Sequence, residues 1–176
     1  LDRLRAQENV QVWSEAEARA EVAGRDRYEL GPSRVLVIWT MPPGPVELQA
    51  VLEKVAPETV YLFGIDPGLD HPEKFLKRLA GLIKQALNSS GGRVSVSTLA
   101  AATAQRESTV RAGVAWLAAR GHVVVLGEED DKVDLAPGGR TIGDGLPRIV
   151  AQLSALLEET AAYRVYFARA TVERLI

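Results

Sequence analysis

The chain has no cysteine among its 176 residues. A disulfide frame, a thiolate zinc site and a cysteine nucleophile are therefore excluded. Histidine occurs twice, as His71 and His122, and no His-x-x-x-His or Asp-x-Asp spacing is present. Hydrolysis, redox chemistry and metal-dependent phosphoryl transfer each lack their residues, so no catalysis is expected from this chain. No apolar stretch approaches the roughly 20 residues that span a bilayer, and no membrane association is expected. Leu1 is not followed by a basic region and an apolar run, so a signal peptide is not expected and the chain reads as cytoplasmic. Its start reads as a cut in a longer protein. A strong excess of one charge is also missing: the net charge is -2, which gives no support to non-specific nucleic-acid binding.

What is present is an ordinary globular composition, 47% apolar and 25% charged. Charge is unevenly spread. Residues 1–70 carry 7 basic and 12 acidic side chains, and residues 71–135 carry 9 and 7. Only the middle has an electrostatic footprint for an anion, and it is weak.

In residues 1–70, Val10 to Trp13 alternates weakly as a strand, and Ser14 with Glu17 is placed to cap a helix ending at Gly24. The run Val35-Leu36-Val37-Ile38-Trp39 reads as a strand buried on both faces. Val46, Leu48, Val51, Leu52 and Val55 follow with a helical period behind Pro45. Thr59 to Phe63 is a second buried strand, stopped by Gly64. Strand, helix, strand is a parallel βαβ unit. The Met41–Pro45 loop lies where open α/β sheets bind ligands. It has no phosphate-loop pattern, and its prolines remove backbone N–H groups, so a rigid link is expected. Asp66, Asp70 and His71 form the one acidic and imidazole cluster. Such residues ligate metals, but no second cluster lies near, and capping of the next helix by Asp70 or His71 is the simpler reading.

In residues 71–135, Phe75, Leu76, Leu79, Leu82, Ile83, Ala86 and Leu87 give one apolar helix face over 72–87, with Lys77 and Lys84 among the residues covering the rest. A short strand at 93–96 follows, with Ser97 as a good N-cap for 98–102. A tight link at 103–105 precedes a helix over 106–119, which stops at Arg120-Gly121. A strand at 122–126, an acidic tip Glu128-Glu129-Asp130-Asp131 and a return through Leu135 complete the order of a winged helix. The N-terminal end of the second helix of a helix-turn-helix enters the major groove. Arg106 and Arg111 would there reach phosphates or base edges, and Gln105, Ser108 and Thr109 would supply neutral hydrogen bonds. Arg93 and Arg120 are further phosphate candidates. The acidic tip argues against a close approach to a nucleic-acid backbone, and a winged helix also serves protein docking. Trp116 reads as packing, beside the core-facing stripe.

Residues 136–145 are a loop by composition, and a long helix follows over 146–167, with a final turn from Thr171. The expected fold is thus α/β. A small parallel βαβ unit (1–70) precedes a winged-helix unit of helix-turn-helix plus β ribbon (71–135). A C-terminal loop and closing helix (136–176) pack across both.

The segments Val35-Leu36-Val37-Ile38-Trp39-Thr40-Met41-Pro42-Pro43 and Val60-Tyr61-Leu62-Phe63-Gly64 resemble the C-terminal region of RecJ-type exonucleases. So do residues 88–93, Leu99-Ala100, Thr109-Val110-Arg111-Ala112-Gly113, Trp116-Leu117-Ala118-Ala119-Arg120-Gly121 and Tyr166-Phe167-Ala168. The likeness runs over nearly the whole chain in the same order. Members of that family degrade single-stranded DNA from the 5′ end with manganese or magnesium, through aspartate and histidine motifs, including Asp-His-His, in an N-terminal core. Those motifs are absent here. The resemblance implies an accessory region with no cofactor of its own, joined to the rest of a parent nuclease. It implies docking of a single-stranded-DNA-binding protein or a helicase, and contact with DNA. Two other readings stay open: a free-standing winged-helix DNA-binding regulator, and a small-molecule domain using the Met41–Pro45 loop.

Overall fold

A computed structural model describes residues 9–141, 143 and 145–175. Leu1, where the chain reads as cut, and Ile142 and Asp144 of the glycine-rich loop lie outside the described residues. Two compact units divide the chain: Leu1–Pro67 with Ala161–Ile176, and Gly68–Thr160. No helix among the described residues is long and apolar enough to cross a membrane.

The first unit is a three-stranded parallel sheet, ordered β1 (Val10–Trp13), β2 (Val35–Thr40), β3 (Thr59–Ile65). Strand β2 is central. Its Leu36, Val37 and Ile38 are fully buried, as its unbroken apolar run requires. Helix α2 (Pro45–Val55) connects β2 to β3 and buries Leu48, Val51 and Val55, which share one face. Pro45 sits at its start, where a missing N–H costs nothing, and Ala56 ends it in the left-handed conformation. Leu36, Ile38, Leu48 and Val51 form the core on that side, joined by Phe167. On the other side Val22 of α1 (Ala18–Val22) packs with Val12 and Val37.

Three details depart from expectation. Ser14 does not cap α1. Its backbone N–H donates to Arg25 O at 2.9 Å, so the chain stays extended past β1 and the helix begins only after Glu17. Gly64 does not stop β3. It takes φ +63° and forms a bulge, with Ile38 opposite Leu62 but Thr40 opposite Ile65. Strand β3 is also not buried on both faces. As an edge strand it leaves Tyr61, Phe63 and Ile65 about two-fifths exposed, at 39%, 43% and 43%.

The second unit runs α3 (Pro72–Ser89), β4 (Arg93–Ser95), α4 (Val96–Thr103), α5 (Glu107–Ala119), β5 (Val123–Glu129), β6 (Lys132–Pro137). Its antiparallel sheet is ordered β4-β6-β5. A short strand between the first two helices, joined to the far strand of a hairpin, gives the winged-helix arrangement. Phe75, Leu79 and Ile83 of α3 are fully buried against Leu99 of α4, Val110 of α5 and Val133 of β6. Leu153 and Leu157 of α6 (Leu146–Arg169) join this core. A last turn, α7 (Val172–Leu175), belongs to the first unit.

Helix α4 starts two residues earlier than expected. Ser95, not Ser97, is its N-cap, and Ser95 Oγ accepts from Thr98 N at 3.0 Å. Ser97 is occupied by a residue far away in sequence, Asp131.

Candidate functional site

The predicted contact residues lie around the turn between α4 and α5. Gln105 and Thr109, taken from the sequence as groove-facing donors, are fully buried. Gln105 Nε2 donates to Asp70 Oδ1 at 2.8 Å and to Leu69 O at 3.2 Å. It fastens the turn to the approach of α3, so neither it nor Thr109 presents a side chain to a ligand. Asp70 is thereby engaged as well. His71 is the N-cap position of α3 but makes no side-chain cap bond. Ser108 is exposed.

The arginines are committed internally. Arg106 Nη2 donates to Leu156 O at 3.0 Å and to Glu159 Oε2 at 2.9 Å. Hydrogen bonding and charge from Arg106 hold the Glu159 carboxyl below the usual carboxylate range. Arg111 donates to Glu128 Oε2 at 3.3 Å and to Asp130 O at 2.8 Å. Arg93 lies 3.5 Å from Glu129 Oε2 and 3.7 Å from Asp134 Oδ1. Arg120 rests its guanidinium 5.6 Å above the Trp116 ring.

The acids of the wing tip stay exposed at Glu128, Glu129 and Asp130, but cations lie within reach of two of them. Glu128 and Glu129 turn toward Arg111 and Arg93, and Asp131 reaches α4. Asp131 accepts from Ser95 Oγ at 2.6 Å, from Ser97 N at 2.8 Å and from Ser97 Oγ at 2.9 Å. It satisfies one of the N–H groups that a helix start leaves open, and it places negative charge at the positive end of α4. Partial burial works to raise the Asp131 carboxyl. The bonds from Ser95 and Ser97, with the charge of Lys132, outweigh that and hold it below its ordinary value. A carboxyl depressed on folding stabilises the folded state above its unfolded pKa, about 3.9, and loses that contribution as pH falls through the folded value. Asp131→Asn is expected to cost about 1 kcal/mol near pH 7, since the group is partly solvated. The difference from the parent chain should shrink below about pH 4. Thermal melts across pH 3 to 7 measure it, and a pH-independent difference would refute the assignment.

A second feature lies on the other side of α3. A groove of about 690 Å³ is bounded by α3, the end of α5 and the base of the ribbon. Leu76, Ala80 and Leu87 form one wall, and Trp116, Val123 and Pro137 the other. Trp116 is held by a stacked His122, ring centroids 6.1 Å apart. Lys77 and Lys84 stand exposed on the rim, with Glu73 at one end. The single apolar face expected of α3 is in fact two stripes. Phe75, Leu79 and Ile83 are buried, while Leu76, Ala80 and Leu87 are only partly covered. The signal in the sequence was the width of the apolar face, more than one core contact requires.

The Pro-rich loop after β2 behaves as a link. Pro42, Pro43 and Gly44 are buried, and Met41 N donates to Ile65 O at 3.0 Å. Among the described residues no group of three or more His, Asp or Glu side chains is arranged to hold a metal ion. No protein-family model, curated protein or solved structure matches the chain.

Proposed function

We propose that this chain is a non-catalytic accessory region of a RecJ-like 5′-3′ single-stranded-DNA exonuclease, and that its winged helix docks a protein rather than reads a duplex. The manganese or magnesium chemistry then belongs to the parent's core. The parent origin rests on the resemblance of the segments named above. The docking role rests on one observation: Arg93, Arg106 and Arg111, the cations best placed for phosphates, each hold an internal acidic or carbonyl partner. To grip DNA they would have to give up those partners, and the wing acids so released would face the phosphates. What remains exposed at the start of α5 includes Ser108 and Glu107, a poor set for an anion.

The free-standing regulator reading is favoured by the β4-β6-β5 order, which many DNA readers share. Fluorescence anisotropy with duplex and single-stranded oligonucleotides at about 0.1 M salt separates the two. Binding is expected to be micromolar or weaker and indifferent to sequence. Sub-micromolar, sequence-specific duplex binding that falls about tenfold or more in Arg106→Ala and Arg111→Ala would overturn docking as the main role.

A further inference from the structure

We infer that the groove between α3 and Trp116 receives an acidic amphipathic helix of a partner protein. The inference rests on the docking reading above and names the chemistry of the partner.

The residues that α3 gives to the groove are Glu73, Lys77, Ala80, Lys84 and Leu87, with Leu76 and Ile83 beside them. The first five are spaced four, three, four and three. That is the spacing of a stripe that keeps facing a second helix, because 3.5 residues per turn holds the seam in line. At about 1.5 Å per residue the stripe is about 21 Å long, close to four helical turns. The cavity volume spread over that length admits a row of side chains, not a helix body. A helix lying along the rim and lowering its apolar side chains between the walls fits both dimensions. Ala80 at the middle of the stripe leaves the depth for a large anchor. Trp116 forms the opposite wall, braced by His122 and by Arg120, and such a held tryptophan is a common energetic centre of an interface.

Charge selects the partner. Lys77 and Lys84 flank Ala80 on one wall, and Arg120 lies against the Trp116 ring without lining the groove itself. Against the two lysines that line it the groove has one acid, Glu73. Lys77 and Lys84 lie seven residues apart on one stripe, about 10 Å along the axis. Carboxylates seven residues apart on a facing helix meet both. Glu73 marks one end of the stripe as negative, so a basic residue at that end of the partner sets its direction.

The probe is a designed helical peptide of about 21 residues, three heptads, with leucine on the seam and glutamate flanking it. Two controls accompany it: the same peptide with lysine for glutamate, and a scramble of the acidic one. The full 176-residue chain is used, with Trp116 emission as readout and Trp116→Phe to assign it. Saturable binding of the acidic peptide is expected, at least tenfold weaker in Lys77→Glu/Lys84→Glu and weakened by salt. Both lysines are exposed, so the double variant should fold, and circular dichroism checks this. The lysine peptide and the scramble should not bind. Absence of binding by the acidic peptide overturns the inference. So does equal binding to the double variant, or equal binding of the scramble, which would mark an extended acidic tail as the occupant. Tight sequence-specific duplex binding by the same chain would remove docking as the main role. It would leave the groove result standing or falling on the peptide alone.

Discussion

Glu15→Gln is expected to lower the unfolding free energy of the first unit by about 3–5 kcal/mol. Glu15 is 1% exposed and Arg27 7%. Arg27 Nε donates to Oε1 of Glu15 at 2.7 Å and Nη2 to Oε2, a two-point pairing of a planar guanidinium with a carboxylate. The same carboxylate accepts from Trp13 Nε1 at 2.8 Å and from Arg27 N at 3.2 Å. The backbone N–H of Glu15 donates to Thr40 Oγ1 at 3.0 Å, just beyond the end of β1 and at the end of β2. The side chain of Glu15 thus joins the end of β1 to the loop carrying Arg27, and its main chain reaches the last residue of β2. Taking its charge away removes the carboxylate that pairs directly with a buried guanidinium, which is the costly way to break such a pair. Replacing both partners with apolar residues of similar volume, Glu15→Leu with Arg27→Met, should recover most of the loss, because the desolvation cost of both ions disappears together. Urea unfolding followed by tryptophan emission measures both. With two compact units a biphasic curve is expected for Glu15→Gln, the earlier phase belonging to the weakened unit. A double variant as unstable as the single one would show that the hydrogen bonds, not the charge balance, carry the effect.

The local signals in the sequence were reliable where a single residue decides the backbone. Pro45 opened α2 and Pro72 opened α3 as their fixed φ requires. The apolar run of β2 told its burial on both faces because it is unbroken, short and bounded by Gly-Pro and Pro-rich segments. The order of helices and strands sufficed for the winged helix. What escaped were partners distant in the chain. Arg111 meets Glu128, 17 residues on, and Arg106 meets Glu159, 53 residues on. From the sequence the arginines suggested a phosphate grip and the acids an obstacle to one, when each set holds much of the other. Ser97, expected as the cap, instead meets Asp131, 34 residues away, a partner that could not be foreseen beside it. Burial of β3 was overestimated for a related reason: an apolar run does not say whether its strand is central or at an edge.

The largest effect of a single methyl group is expected at Gly92. The chain leaves α3 and enters β4 through Gly91 at φ +65° and Gly92 at φ +88°. A Cβ on Gly92 would stand 2.0 Å from Leu135 O and 3.0 Å from Leu87 Cδ2. The nearest group is main chain of β6, held in place because Leu135 N donates to Gly92 O at 3.0 Å. Gly92→Ala therefore adds the left-handed penalty of an L-residue, about 1–2 kcal/mol, to the loss of that hydrogen bond and a displaced Leu135 in the core. A total of about 3–5 kcal/mol is expected. Gly91→Ala is the control. It has the same sign of φ, but nothing lies within 4 Å of the added carbon, so only the conformational cost of about 1–2 kcal/mol applies. Since Leu87 also lines the groove beside Lys84, Gly92→Ala should weaken binding of the acidic helical peptide, and Gly91→Ala should not. Chemical unfolding and peptide titration of the two variants read both consequences. Equal destabilisation by both alanines would show that backbone conformation alone, not the packing of β6 against the end of α3, governs this junction.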